Sequence, residues 1–80
     1  MDKEIGKVIH WYDKINVAVV ALSGDLSVGD TIKVRHGEEE HEDSVASMQL
    51  NHKDISLGSS GQEVAIKLAT KAHEGATISK

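Results

Sequence analysis

Leu26-Ser27-Val28-Gly29-Asp30-Thr31-Ile32-Lys33-Val34 is the stretch whose reading decides the fold. Gly29-Asp30 reads as a tight turn, because glycine takes positive φ at no steric cost and Asp bonds nearby backbone. From Thr31 the residues alternate. Ile32 and Val34 fall on one face, and Thr31, Lys33 and Arg35 fall on the other. A period of two is that of a half-buried strand.

Toward the N-terminus, residues 15–22 (INVAVVAL) form a nearly continuous apolar run, closed by the turn residues Ser23-Gly24-Asp25. Eight residues rich in Val and Ile favour a well-buried strand over a helix. Residues 4–12 (EIGKVIHWY) are rich in β-branched and aromatic side chains and also read as strand. Their faces are mixed, with Gly6, Val8, His10 and Tyr12 on one and Ile5, Lys7, Ile9 and Trp11 on the other. Mixed faces suit a strand at a barrel seam. Gly6 within it marks a bend or a close backbone approach.

Toward the C-terminus, His36-Gly37 ends the strand. Residues 38–43 (EEEHED) carry five acids and one His, and read as a solvated loop or hairpin tip. Residues 44–50 resume a strand, with Ala46, Met48 and Leu50 on one face and Val45, Ser47 and Gln49 on the other. A turn at 51–54, a short apolar pair (Ile55, Leu57) and a loop at 58–61 follow, with one turn of 3₁₀ over 58–62. Residues 63–68 alternate cleanly, with Val64, Ile66 and Leu68 inward. His73-Glu74-Gly75 makes a last turn before a closing strand at 76–79. The pattern predicts an all-β fold for one domain, residues 1–80. It is a small, closed or partly closed antiparallel barrel of about six strands, Greek-key-like.

Composition narrows the rest. The 80 residues include no cysteine, and their aromatics are Trp11 and Tyr12, so Val, Ile, Leu and Ala must fill the core. A domain of this size buries only about 60% of its unfolded surface. The net charge of −4 argues against a general nucleic-acid binder, while leaving room for a local basic patch. With no leader pattern and no apolar run of about 18 residues, the expectation is a cytoplasmic protein without membrane contact.

The motifs occur in a recognisable order: Ile5-Gly6-Lys7-Val8, Leu26-x-Val28-Gly29-Asp30-x-Ile32, Gly37, Val45-x-Ser47-Met48-Gln49, Gly61-x-x-Val64-x-Ile66 and Gly75. In this order and spacing the chain resembles the translation-protein β-barrel, the second domain of translation GTPases such as elongation factor Tu. It is similar, more closely, to small stand-alone translation elongation factor-like proteins and to the C-terminal barrel of collagenase-like peptidases, a family also implicated in RNA modification. Ala76 stands where that family commonly has Asp, and Ser79 stands about where a Tyr is common. The resemblance implies a domain that holds no GTP itself. It implies contact with tRNA or the ribosome and packing on a GTPase, or docking on a peptidase. None of the family's tRNA-contacting residues carries over to a position here.

Gly24 to Thr31 has the spacing of a phosphate-binding loop, but Asp30 holds the place of its lysine and a strand follows, so no nucleotide is expected there. His36 and His41 are the weak candidates for metal ligands, facing each other across a hairpin, and neither a metal nor another cofactor is expected. No G-x-S-x-G, no H-E-x-x-H and no cysteine nucleophile is present, so no catalysis is expected. Lys7, Lys33 and Arg35, with Trp11 for stacking, form the candidate contact for RNA or a protein partner. The structural alternative pairs Lys33 and Arg35 with nearby acids and puts Trp11 in the core. His10 reads as a satisfied, partly buried histidine. The leading expectation is a non-catalytic binding module for tRNA, the ribosome or a translation-related partner. Its rival is a structural accessory barrel that docks a separate enzyme, of peptidase or RNA-modification type, without touching nucleic acid.

Overall fold

The computed structural model describes residues 3–80 and is all-β. Its strands are β1 (Glu4–Tyr12), β2 (Val17–Leu22), β3 (Leu26–Ser27), β4 (Thr31–His36), β5 (Glu39–Ser44), β6 (Ser47–Leu50), β7 (Lys53–Asp54), β8 (Leu57–Gly58), β9 (Glu63–Lys67) and β10 (Thr77–Ser79). Eight of them form one antiparallel sheet in the order β5-β4-β10-β1-β2-β9-β6-β7, and β3 pairs with β8 in a separate ribbon. The sheet curls into a partly closed barrel, with β5 and β7 left as edges. The count exceeds the expected six because β3, β7 and β8 are two-residue strands inside segments that read as turns, and β5 occupies the acidic segment.

Mixed faces on β1 have a local cause rather than a seam. This strand lies inside the sheet, between β10 and β2. Its register slips between Glu4 and Gly6 against β10, and between Val8 and His10 against β2. Each slip shifts the alternation by one residue. Ile5, Gly6 and Val8 are therefore all buried, Ile9 is exposed, and Trp11 turns back toward the core. Gly6 is required by contact: a Cβ there would lie 2.6 Å from Val20 Cγ1.

The remaining strands follow the expected alternation more simply. Ala18, Val20 and Leu22 of β2, Ile32 and Val34 of β4, and Val64 and Ile66 of β9 point inward. With Leu26, Met48, Leu68 and Ile78 they make one apolar core, and no polar residue among those described is buried as a whole.

Several expectations are corrected. Residues 38–43 are not a loop: 39–44 form β5, paired with β4 from Thr31↔Ser44 to His36↔Glu39, and only Gly37-Glu38 makes the tip. An acid-rich strand is tolerable at an edge, where one side of the ladder stays in water. Ile15 and Asn16 belong to the preceding turn, with Asn16 at φ 53, so β2 begins at Val17. Val45 is buried, because it lies in the connection before β6 and not in that strand's alternation. Gly58 is a buried strand residue whose Cβ would meet Leu22 Cδ1 at 2.7 Å, and no 3₁₀ turn forms at 58–62.

The stretch 26–34 is a turn clasped from three sides. The Asp30 amide donates to the Ser27 carbonyl at 3.1 Å, and Gly29 has φ 91, as the third residue of a type II turn requires. Asp30 Oδ2 accepts from the Ser27 amide at 2.9 Å and from Lys80 Nζ at 2.7 Å. Gly29 donates to the Val45 carbonyl at 2.9 Å, and the Val45 amide donates back to Asp30 at 3.1 Å. Asp30 thus fills the lysine place of the nucleotide-loop spacing while acting as a turn clasp.

Replacing Gly29 by Val should cost more than about 1 kcal/mol in urea unfolding, because a β-branched residue resists positive φ; unchanged stability would mean that the turn is built differently. The hydrogen bond from Lys80, and next that from the Ser27 amide, hold the Asp30 carboxyl below its ordinary value of 3.8. A lowered folded value gives stability that is complete above the unfolded value and lost as pH falls through the folded one. Wild type should therefore exceed Asp30→Asn in stability at neutral pH and lose that advantage on acidification below 3.8. A constant gap between the two acid-unfolding curves would contradict the clasp.

Candidate functional site

The charged residues singled out from sequence do share a face. Register places Lys7, Thr77, Arg35 and Glu40 in one row across β1, β10, β4 and β5. Ser79, Lys33 and Glu42 form the next row. Lys7, Lys33 and Arg35 therefore point outward together. Each β4 cation also lies directly opposite an acid of β5, the arrangement that favours cross-strand charge pairing. Trp11 does not join them. It packs half-buried against the core, and its Nε1 donates to the Asp13 carboxylate. His10 is exposed, with Nδ1 3.1 Å from Glu74 Oε2.

A second feature lies where the β4–β5 hairpin meets the loop 69–76. Val34, His36, Glu39, His41, Thr70, Lys71 and His73 enclose a cavity of about 150 Å³. A broader hollow beside it is lined by Trp11, Asp13 and Glu74 and by the same His36, Lys71 and His73. The rings of His36 and His73 lie 4.9 Å apart and tilted by 33°. His36 and His41 are not directly opposed: His36 pairs with Glu39 and His41 with Val34. They are diagonal neighbours lining one cavity. Nε2 of His41 is buried and has no hydrogen-bond partner. Among the described residues no group of three or more His, Cys, Asp or Glu side chains is arranged to hold a metal ion.

His73 is the member that sequence reading passed over as a turn residue. Its approach to His36 depends on the loop folding back, and Asp43 fixes that loop. The Asp43 carboxylate accepts from the Thr70 amide at 2.9 Å and from the Ala69 amide at 3.4 Å. An acid read as one of a solvated run thus closes a connection 27 residues long in sequence.

A third surface is apolar. Val17 and Val19 of β2 and Ala65 of β9 face outward beside Gln49, with Tyr12 and Ile15 at one end and His52 at the other. Tyr12 is 46% and Ile15 58% exposed, so this side of the sheet carries large side chains in water. Among the described residues no helix is long and apolar enough to cross a membrane.

No family model matches the sequence. The chain is 42% identical over 74 residues to an uncharacterized protease of Methanocaldococcus jannaschii; the match covers 90% of this chain and spans only 18% of that relative's length. In structure it is similar to the C-terminal domain of a Geobacillus thermoleovorans protein classed as a U32 peptidase. The selenomethionine form of that domain superposes with a TM-score of 0.89 at 15% identity, covering 98% of this chain and 99% of that one. A second crystal structure of the domain gives 0.86 at 14% identity, covering 95% and 89%. At such identities the likeness establishes the barrel fold.

Asp43→Ala should release the loop 69–76 and cost about 1 kcal/mol, the scale of a lost hydrogen bond. Amide exchange at Thr70 should speed up and the His73 ring resonances should move, whereas unaltered exchange there would show that the loop is held by other contacts.

Proposed function

We propose that this chain is a non-catalytic accessory barrel that docks on an enzyme body of the peptidase type, either as a separate protein or as part of a longer one. The observation that carries the reading is the 42% identity to a segment making up 18% of a protease's length. The fold likeness to an excised C-terminal domain of a U32-classed protein supports it. Such a barrel needs a face that water does not favour. The outward side of β2 and β9, with Tyr12, Ile15, Val17, Val19 and Ala65, is suited to that role. Burying apolar area of this kind contributes about 25 cal/mol per Å² before the costs of association.

The catalytic chemistry then belongs to the partner, and the barrel would orient or stabilise it. Contact with tRNA, the ribosome or a GTPase has weaker support. Lys33 and Arg35 face Glu42 and Glu40, so the strip that would track phosphates is flanked by acids along its length.

Mixed with the Methanocaldococcus jannaschii protease from which the matching segment has been removed, the purified chain should form a one-to-one complex visible by light scattering at micromolar concentration. Absence of a complex with a monodisperse truncated protease would sink the reading. Binding to tRNA at low salt that weakens steeply with added salt would favour the nucleic-acid alternative instead.

A further inference from the structure

The cavity between the β4–β5 hairpin and the loop 69–76 has no part in docking through the apolar face, and its lining is unusual for so small a space. His36 comes from the end of β4, His41 from β5, and Thr70, Lys71 and His73 from the loop. Three imidazoles, an ammonium and a hydroxyl line it, and the acid in the lining is Glu39. Imidazolium and ammonium groups donate hydrogen bonds and accept none. Nε2 of His41 is shielded from solvent without any protein partner, the condition expected of a group that meets a ligand or ordered water. We propose that this cavity binds a phosphoryl group, as a tetrahedral oxyanion held by His36, His41, His73 and Lys71.

A tetrahedral oxyanion takes donors from several directions at once, which matches groups drawn from two strands and a loop. The space, about 150 Å³, exceeds that of several water molecules. A divalent cation fits less well, because Lys71 repels it and no triad of ligands converges among the described residues. Of the adjoining acids, Glu74 faces His10 and Asp43 holds the loop amides, while Asp13 accepts from Trp11 and lies 3.7 Å from Lys71 Nζ, a contact that a bound anion would share. The hollow beside the cavity, walled by Trp11, offers room for the remainder of a phosphorylated ligand. Imidazolium donates from both ring nitrogens where neutral imidazole donates from one, so anion binding here should tighten on acidification. The titratable and charged groups around it are His36 on β4, Glu39, His41 and Asp43 on β5, Lys71, His73 and Glu74 on the loop, and Asp13 after β1.

The test is an NMR titration of the full chain with inorganic phosphate, and in parallel with adenosine 5′-monophosphate, at about pH 6 and about pH 8, with ionic strength held constant by sodium chloride. The expected result is saturable movement of the His36, His41 and His73 ring resonances, several-fold tighter at the lower pH and lost in His73→Gln. Equal affinity for the two ligands would assign the site to free phosphate. Tighter nucleotide binding with quenching of Trp11 fluorescence would assign it to a phosphorylated small molecule. Shifts that follow chloride alone, or that persist unchanged in His73→Gln, would overturn the proposal. Should that variant fail to fold, the melting temperature of the wild-type chain decides: no rise with phosphate beyond that with chloride would overturn it as well.

Discussion

The rest of the structure depends on how β1 buries residues from both of its faces. A strand with strict alternation offers the core every second side chain. Two register slips release β1 from that rule, so Ile5, Val8 and Trp11 all turn inward while Lys7 and Ile9 stay out. Gly6 sits between the slips, where β1 approaches Val20 too closely for any side chain. With β10 on one flank and β2 on the other, this strand joins the two halves of the sheet. Slips of this kind bend a strand and increase its twist, which is how a sheet curls toward a barrel. The clasp at Ser27–Asp30 is the second tie, linking the turn to Val45 and to Lys80.

Much of this was legible in the residues. The alternation of 31–35 and 63–68, the limits of β1 and the turn at Gly29 all came from local pattern, because each depends on neighbours two to four places away. Gly29 does take positive φ, as a turn built on it requires. The acidic segment was misread because composition says that a run of acids cannot be buried. It does not say that an edge strand needs no burial. The mixed faces of β1 were visible, but their cause was not, since a bulge is defined by the partner strand. The role of Asp43 and the meeting of His36 with His73 depend on a loop returning across the sheet, which no periodicity encodes.

Three surfaces result, and they differ in kind. On the face carrying Lys7, Lys33 and Arg35, β5 sets acids opposite the β4 cations. At the hairpin end, histidines and Lys71 surround a small cavity. Across β2 and β9, apolar side chains meet water. The sequence similarity found lies with a protease, and the fold matches the C-terminal domain of a U32-classed protein. The apolar face suits an accessory domain held against a larger body, and it shares no lining residue with the cavity.

Methyl-resonance spectra of the chain, recorded with and without the truncated Methanocaldococcus jannaschii protease, test the docking account most directly. The account predicts shifts or broadening at Ile15, Val17, Val19 and Ala65, with the core methyls of Ile32 and Ile66 unmoved. Perturbation confined to residues around Lys33 and Arg35, with Val19 and Ala65 unchanged, would contradict it.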